Sequence, residues 1–243
     1  ANADYLARWN PATEAWESVI AGVSAYVRTM AFDANGDLYI GGAFTNLGST
    51  DGDYIAKITG LGGTPSISAL GTGITGNYVR SIAIAPNGDV YVGGDFTNAG
   101  GVANTAMIAK WDRTVWTPLS TGLNGAVYAL AFAPNGDLYI GGYFTNADGT
   151  YGDYLCYWDG SAFNRVGTVE LSTNGYVYAL AFGATGWLYV GGNFTNAGGN
   201  ANANYICRWN GNQWESLGTG VNYFVNIIAI NSLNVHPLTF IFS

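Results

Sequence analysis

The chain has 243 residues, 49% of them hydrophobic and 15% aromatic, so it can bury a sizeable core and is no disordered segment. Charged residues make up only 10%, which leaves Asn, Thr, Ser, Gly and Tyr to face water and argues against stabilisation by ion-pair networks. The net charge of −8 disfavours nucleic acid and anionic membrane surfaces, which both require a basic footprint, and no apolar run is long enough for membrane insertion. A surface of this kind is commoner outside cells than inside them, so the expected location is extracellular, on a cell surface or on a virion. Ala1-Asn2-Ala3 has neither the charged start nor the apolar run of a signal peptide, as expected of a mature form or of part of a larger polypeptide or assembly.

The predicted elements repeat with a period near fifty. The first stretch, Asp4–Asn10, reads as a strand, and Trp16–Val19 as another. Val27–Phe32 then begins a unit of four short strands that recurs. Its first strand returns as Val79–Ile84, Val127–Phe132, Val177–Phe182 and Val225–Ile230. Asn35-Gly36, Asn87-Gly88 and Asn135-Gly136 follow it, and that pair predicts a type I′ hairpin. The second strand runs into Gly41-Gly42, Gly93-Gly94, Gly141-Gly142 and Gly191-Gly192, at steps of 52, 48 and 50 residues. The third strand is expected at Tyr54–Ile58, Met107–Trp111, Tyr154–Trp158 and Tyr205–Trp209. The fourth carries one large anchor: Ile67, Trp116, Phe163 or Trp214.

A period near fifty with four strands per unit is the signature of a β-propeller. Asp4–Asn10 and Trp16–Val19 match the third and fourth strands, so the chain starts half-way through a blade and stops half-way through another. The expectation is one five-bladed domain over 1–243, with blades at about 26–72, 78–121, 126–168, 176–218, and 223–243 plus 4–20. Its last blade would be closed by the N-terminal third and fourth strands with the C-terminal first and second. Leu238–Phe242 serves as a degenerate second strand after Pro237. The Gly pair, the aromatic in the third strand and the Trp or Phe in the fourth resemble the kelch repeat and related Gly-Gly propeller repeats of bacterial and phage surface proteins. Propellers of that type serve as enzymes, lectins, adhesins and protein-binding hubs, so the resemblance implies a fold rather than an activity.

Few residues of the sequence carry the patterns that chemistry requires. The acids fall at repeated scaffold positions such as Asp37, Asp89 and Asp137, whereas an active site breaks repeat symmetry. His236 is the only histidine, so no triad and no His-based metal site is expected. Cys156 and Cys207 take the slot that holds Ala in other blades and read as free, buried packing residues. Asp33–Asp37 reads as a turn rather than a calcium loop. No catalytic residue, cofactor or metal is predicted.

One position does invite recognition. The second residue of the first strand is Arg28, Arg80, Tyr128, Tyr178 or Asn226, preceded in most blades by a tyrosine or phenylalanine. In a closed ring these would gather at one mouth of the channel beside the variable loops that follow the Gly pairs. The leading functional expectation is a non-catalytic recognition module binding a glycan or a protein through that face. A structural spacer or decoration domain and a glycan-active enzyme stand behind it.

Overall fold

A computed structural model of the chain describes residues 5–47, 50–51, 53–147, 154–167, 171, 175–230 and 239–242. It divides into two compact units, Ala1–Pro118 and Leu119–Ser243. The first unit opens with a hairpin of β1 (Ala7–Asn10) and β2 (Ala15–Ser18). Then come β3 (Val27–Phe32), β4 (Leu38–Gly42), a small ribbon of β5 (Asn46–Leu47) and β6 (Thr50–Asp51), β7 (Ile55–Thr59) and β8 (Ser66–Ala69). Strands β3-β4-β7-β8 form one antiparallel sheet, blade 1. Blade 2 is β9 (Ile74–Ile84), β10 (Val90–Ala99), β11 (Ile108–Trp111) and β12 (Trp116–Thr117).

The second unit contains blade 3, made of β13 (Ala126–Phe132), β14 (Leu138–Tyr143), β15 (Leu155–Trp158) and β16 (Phe163–Arg165). Blade 4 is β17 (Gly175–Phe182), β18 (Leu188–Phe194), β19 (Ile206–Trp209) and β20 (Trp214–Ser216), with a single 3-10 turn at Ala197–Gly199. A last hairpin joins β21 (Ile227–Ile230) to β22 (Thr239–Phe242). The four-stranded units expected from the repeat are therefore present; His236, Pro237 and Leu238 lie outside the described residues.

The Gly pair has two separate jobs. A Cβ on the first glycine would collide with the next blade: Gly41 with Val79 Cγ1 at 2.3 Å, Gly141 with Val177 Cγ1 at 2.3 Å, Gly191 with Val225 Cγ1 at 2.6 Å. A Cβ on the second would meet the carbonyl oxygen of its own blade's first strand, Gly42 against Tyr26 at 2.1 Å and Gly192 against Tyr176 at 1.9 Å. Absent side chains thus allow both blade-to-blade and strand-to-strand approach.

After each Gly pair the chain is clamped. Phe44, Phe96, Phe144 and Phe194 are fully buried, and their carbonyls accept the N–H of Tyr54, Met107, Tyr154 and Tyr205 at 2.8, 3.1, 2.8 and 2.9 Å. Those four residues are left-handed, with φ of 62, 65, 65 and 63°, and their own carbonyls accept from Gly42, Gly94, Gly142 and Gly192. The left-handed residue turns the returning loop into the third strand.

The hairpin between first and second strands differs from expectation. Gly36, Gly88 and Gly136 have positive φ, whereas Asn35, Asn87 and Asn135 do not. Gly36 N–H donates to the Asp33 carbonyl and Asp33 N–H to the Asp37 carbonyl, at 3.0 and 2.9 Å. The loop is a three-residue connection with glycine at the left-handed place, and asparagine acts through its side chain: Asn87 Oδ1 accepts from Asp89 N–H at 3.0 Å.

Blades pack by the same rule within each unit. Tyr39, Ile55 and Leu70 of blade 1 bury against Val79, Val92, Phe96 and Trp116 of blade 2. Leu155 and Val166 of blade 3 do so against Val177, Val190, Cys207 and Trp214 of blade 4. Leu6, Val19, Ile20 and Val23 likewise cover Leu38, Ile40, Ala56 and Ile58. Residues flanking the β1–β2 hairpin thus pack against blade 1.

Among the described residues the closing blade expected from the sequence is not seen as one four-stranded sheet: β1–β2 and β21–β22 are each two-stranded. In register, Phe242 stands opposite Ile227, the place that Gly41, Gly93, Gly141 and Gly191 hold opposite their first strands. Met30 and Phe32 of β3 are 59% and 61% exposed, whereas Ile82 of β9 is 8%. Trp9 and Trp16 are 49% and 66% exposed, against 9% and 4% for their counterparts Trp111 and Trp116.

Candidate functional site

The sequence-predicted positions share one structural cause. Val27 pairs with Gly42 and Thr29 with Gly41, so Arg28 is the extra residue of a β-bulge. The same shift leaves Arg80 between Val79 and Ser81, Tyr128 between Val127 and Ala129, and Tyr178 between Val177 and Ala179. A bulge takes its residue out of the in-out alternation and re-aims its side chain. Asn226 is the exception: it is exposed and precedes β21, which begins at Ile227.

In the first unit Arg28 and Arg80 flank one ring. Their guanidinium carbons lie 4.6 and 5.6 Å from the centroid of Tyr78, cation–π distances. The expected pair of open cations is half compensated, however. Arg80 grips Asp95 in a fork, Nε to Oδ1 at 3.3 Å and Nη2 to Oδ2 at 3.0 Å, and Asp95 also accepts Tyr78 N–H at 3.2 Å. Two guanidiniums and one carboxylate leave a single net positive charge, with Arg28 as its exposed member. Nearby in sequence, Tyr5 and Tyr26 meet edge-on at 5.3 Å, both largely exposed.

In the second unit the bulge tyrosines belong to a continuous aromatic row. Tyr143 stacks on Tyr176 at 4.6 Å, Tyr176 on Tyr178 at 5.8 Å, and Tyr178 touches Tyr128 at 5.5 Å and Phe224 at 6.1 Å. Tyr143 also stacks on Tyr154, and Phe224 on Tyr223. Burial, with the neighbouring Tyr128 and Tyr176 hydroxyls, raises the Tyr178 phenol above its ordinary range. The structure thus brings the candidates together in two pairs, Arg28 with Arg80 and Tyr128 with Tyr178.

Asp95 and Tyr143 were missed from sequence. Both stand directly after the Gly pair, where the other blades carry Ala43 and Asn193. A position that changes in every blade while its flanks repeat was the available signal.

Neither cluster contains a histidine, a cysteine or two facing carboxylates. Cys156 and Cys207 are free and buried, and burial pushes both thiols well up, which suppresses the reactive thiolate. Asp33 is a turn anchor: Oδ1 accepts the N–H of Asn35 and Asp37 at 2.9 and 3.0 Å, while Oδ2 faces Lys57 Nζ at 3.4 Å. Among the described residues no three His, Cys, Asp or Glu side chains are grouped to hold a metal ion.

Comparison with known proteins agrees with this architecture. Residues 66–149 match the Rax2 C-terminal beta propeller domain, and residues 183–212 match a beta-propeller domain of unknown function, DUF5122. No curated protein sequence matches the chain. A catalytically inactive virginiamycin B lyase from Staphylococcus aureus, in complex with quinupristin, superposes with a TM-score of 0.52 at 18% identity, over 82% of this chain and 58% of the lyase. A gluconolactonase from Xanthomonas campestris does so at 0.53 and 13%, over 88% and 68% respectively. PorZ, a surface component of the type-IX secretion system of Porphyromonas gingivalis, reaches 0.57 at 15%, over 89% of this chain and 31% of PorZ. The chain therefore spans less than two thirds of the lyase and of PorZ. Matches, sheets and repeat converge on one architecture: an all-β, propeller-like fold of antiparallel four-stranded sheets.

Proposed function

We propose that the chain is a non-catalytic recognition module of an extracellular, cell-surface or virion protein, binding a glycan across the bulge positions of its blades. The observation that carries this reading is the row Tyr143–Tyr176–Tyr178–Tyr128 with Phe224, partly exposed and held by mutual ring contacts. Pre-stacked aromatic faces suit the C–H face of a sugar, and each ring pair contributes about 0.5–1.5 kcal/mol beyond its buried area. Arg28 supplies a cation for an acidic sugar or a peptide carboxylate in the first unit. PorZ, a surface component, is one neighbour in keeping with the reading. A kelch-like repeat and a fifth blade shared by the chain ends belong to this reading as well, supported by the packing of Leu6, Val19, Ile20 and Val23 on blade 1.

A catalytic reading draws on the lyase and the gluconolactonase among the structural neighbours. Against it, the two clusters lack an acid–base pair. The test is a glycan array followed by titration, comparing the intact chain with Tyr128→Ala/Tyr178→Ala and Arg28→Ala/Arg80→Ala. Loss of at least tenfold in affinity, about 1.4 kcal/mol, is expected from the tyrosine pair for neutral glycans and from the arginine pair for acidic ones. Glycans that bind both double variants unchanged would reduce these residues to structural caps.

A further inference from the structure

The second unit holds a cleft of about 290 Å³ at its hairpin turns, away from the bulge positions, lined by Tyr139 of blade 3 and Phe182, Trp187 and Trp209 of blade 4. That volume is at the low end of ligand pockets, roughly 300–1,000 Å³. In blade 2 the residue two beyond the third-strand tryptophan is Arg113, whose side chain lies 3.6–3.9 Å from where a Cβ on Gly88 would stand and so covers that turn. The equivalent residue in blade 4 is Gly211, as it is Gly60 in blade 1 and Gly160 in blade 3. Over the equivalent turn at Gly186 only Pro134 of blade 3 comes as near, at 3.9 Å. The same hairpin departs from Asn-Gly-Asp to Thr185-Gly186-Trp187. An uncovered turn and one departure from the repeat therefore meet in one cleft.

The lining is aromatic and amide-bearing, with no side chain charged at neutral pH. Burial first, then the nearby Tyr157 and Asp137, lift the Tyr139 phenol to about 12, so it remains a neutral hydroxyl. Asn135 and Asn210 are fixed by their neighbours: Asn135 Nδ2 donates to Asp137 at 2.7 Å and Asn210 Nδ2 to Glu215 at 2.7 Å. Each amide nitrogen carries a second hydrogen beyond the one so committed. Trp187 is backed by the Arg208 guanidinium at 4.1 Å, which Glu215 holds at 2.7 Å. Fixed rings beside fixed amides, without charge, match a ligand having apolar C–H faces and several hydroxyls.

We infer that this cleft binds a neutral saccharide of one or two rings, at a site separate from the tyrosine row. The test uses the full chain and saturation-transfer NMR with maltose, cellobiose, lactose and N,N′-diacetylchitobiose. Gly211→Arg introduces the blade 2 residue, which the fold accommodates at a φ of 80° in Arg113, and Phe182→Ile installs the blade 2 counterpart, Ile84. At least one probe is expected to bind, at least tenfold more weakly to Gly211→Arg and to Phe182→Ile. Phe182→Ile decides alone if Gly211→Arg fails to give a cooperative melt. Absence of binding by all four sugars overturns the inference, as does equal binding to the folded cleft variants. Binding lost in Tyr176→Ala but kept in the cleft variants also overturns it, while leaving the glycan reading of the tyrosine row intact.

Discussion

Replacing Gly41 by alanine tests the blade-packing rule most directly. The new methyl would stand 2.3 Å from Val79 Cγ1 and 2.9 Å from Thr29 Cγ2, where carbon–carbon contacts prefer about 3.5–4 Å. Gly41 does not have a positive φ, so backbone strain plays no part, and the alanine by itself gains about 0.4–1 kcal/mol through the unfolded chain. Overpacking a tight core costs about 1–3 kcal/mol, so Gly41→Ala should lose roughly 1–2 kcal/mol net. Val79→Ala removes two methyl groups from a fully buried site, at about 1 kcal/mol each plus a cavity cost. Because the same Cγ1 atom makes the worst collision, the double variant should cost little more than Val79→Ala, a coupling of about 1–2 kcal/mol. Thermal and urea unfolding followed by circular dichroism read this out, at roughly 2–4 °C per kcal/mol for a chain of this size. Strictly additive losses, or a neutral Gly41→Ala, would refute the reasoning. Gly42→Ala supplies a contrast, since its methyl would meet the Tyr26 carbonyl oxygen at 2.1 Å and no side-chain truncation relieves that.

Two further outcomes are expected. Deleting residues 1–20 uncovers Leu38, Ile40, Ala56 and Ile58, so the shortened chain should aggregate or lose its cooperative transition in light scattering and calorimetry; an unchanged melt would remove the half-blade role of β1–β2. Acid should destabilise the protein. The Thr114 hydroxyl and the Val115 and Thr114 N–H groups hold the Asp112 carboxyl at about 2, and comparable bonds lower Asp159, Glu17 and Glu215. Depressed carboxylates stabilise the fold above their unfolded values near 4 and lose that contribution as pH falls toward their folded values. The melting temperature should therefore be level from neutral pH to about 5 and drop between about 4 and 2, which a pH series of melts would check.

Strand content was legible because each first strand, each Gly pair and each anchor recurs with its neighbours intact. The turn type was not, since Asn-Gly serves two hairpin geometries and the choice depends on whether Asn35 takes a positive φ. The bulge was hidden for a related reason. Arg28, Arg80, Tyr128 and Tyr178 stood out as polar residues in apolar strands, yet nothing local says that Val27 and Thr29 pair with adjacent glycines. Asp95 and Tyr143 depend on pairing across that bulge, and so lie a further step from the sequence. Closure was less legible, because strand-like composition in 238–242 says only that a strand forms and not which strands it joins. The turn-side cleft was hidden, since Trp187 stands where other blades carry Asp, yet the cleft also needs Gly211, twenty-four residues away in sequence and beside it in the fold.

The two hydrogen bonds that tie the left-handed residue before the third strand to the buried phenylalanine and to the second glycine of the pair have a consequence for how such a protein diversifies. They fix both ends of the intervening loop to the frame, whatever the loop contains. Between those ends one blade builds a two-stranded ribbon, another is stapled by the buried Thr105 hydroxyl, which bonds to Ala99 and Val102, and a third forms a 3-10 turn. Each is a cassette in a common socket. Leu47, Ala99 and Ala197 inside the cassettes belong to the core, whereas changes at their exposed positions leave it untouched, so new specificities can be sampled blade by blade while the scaffold stays constant.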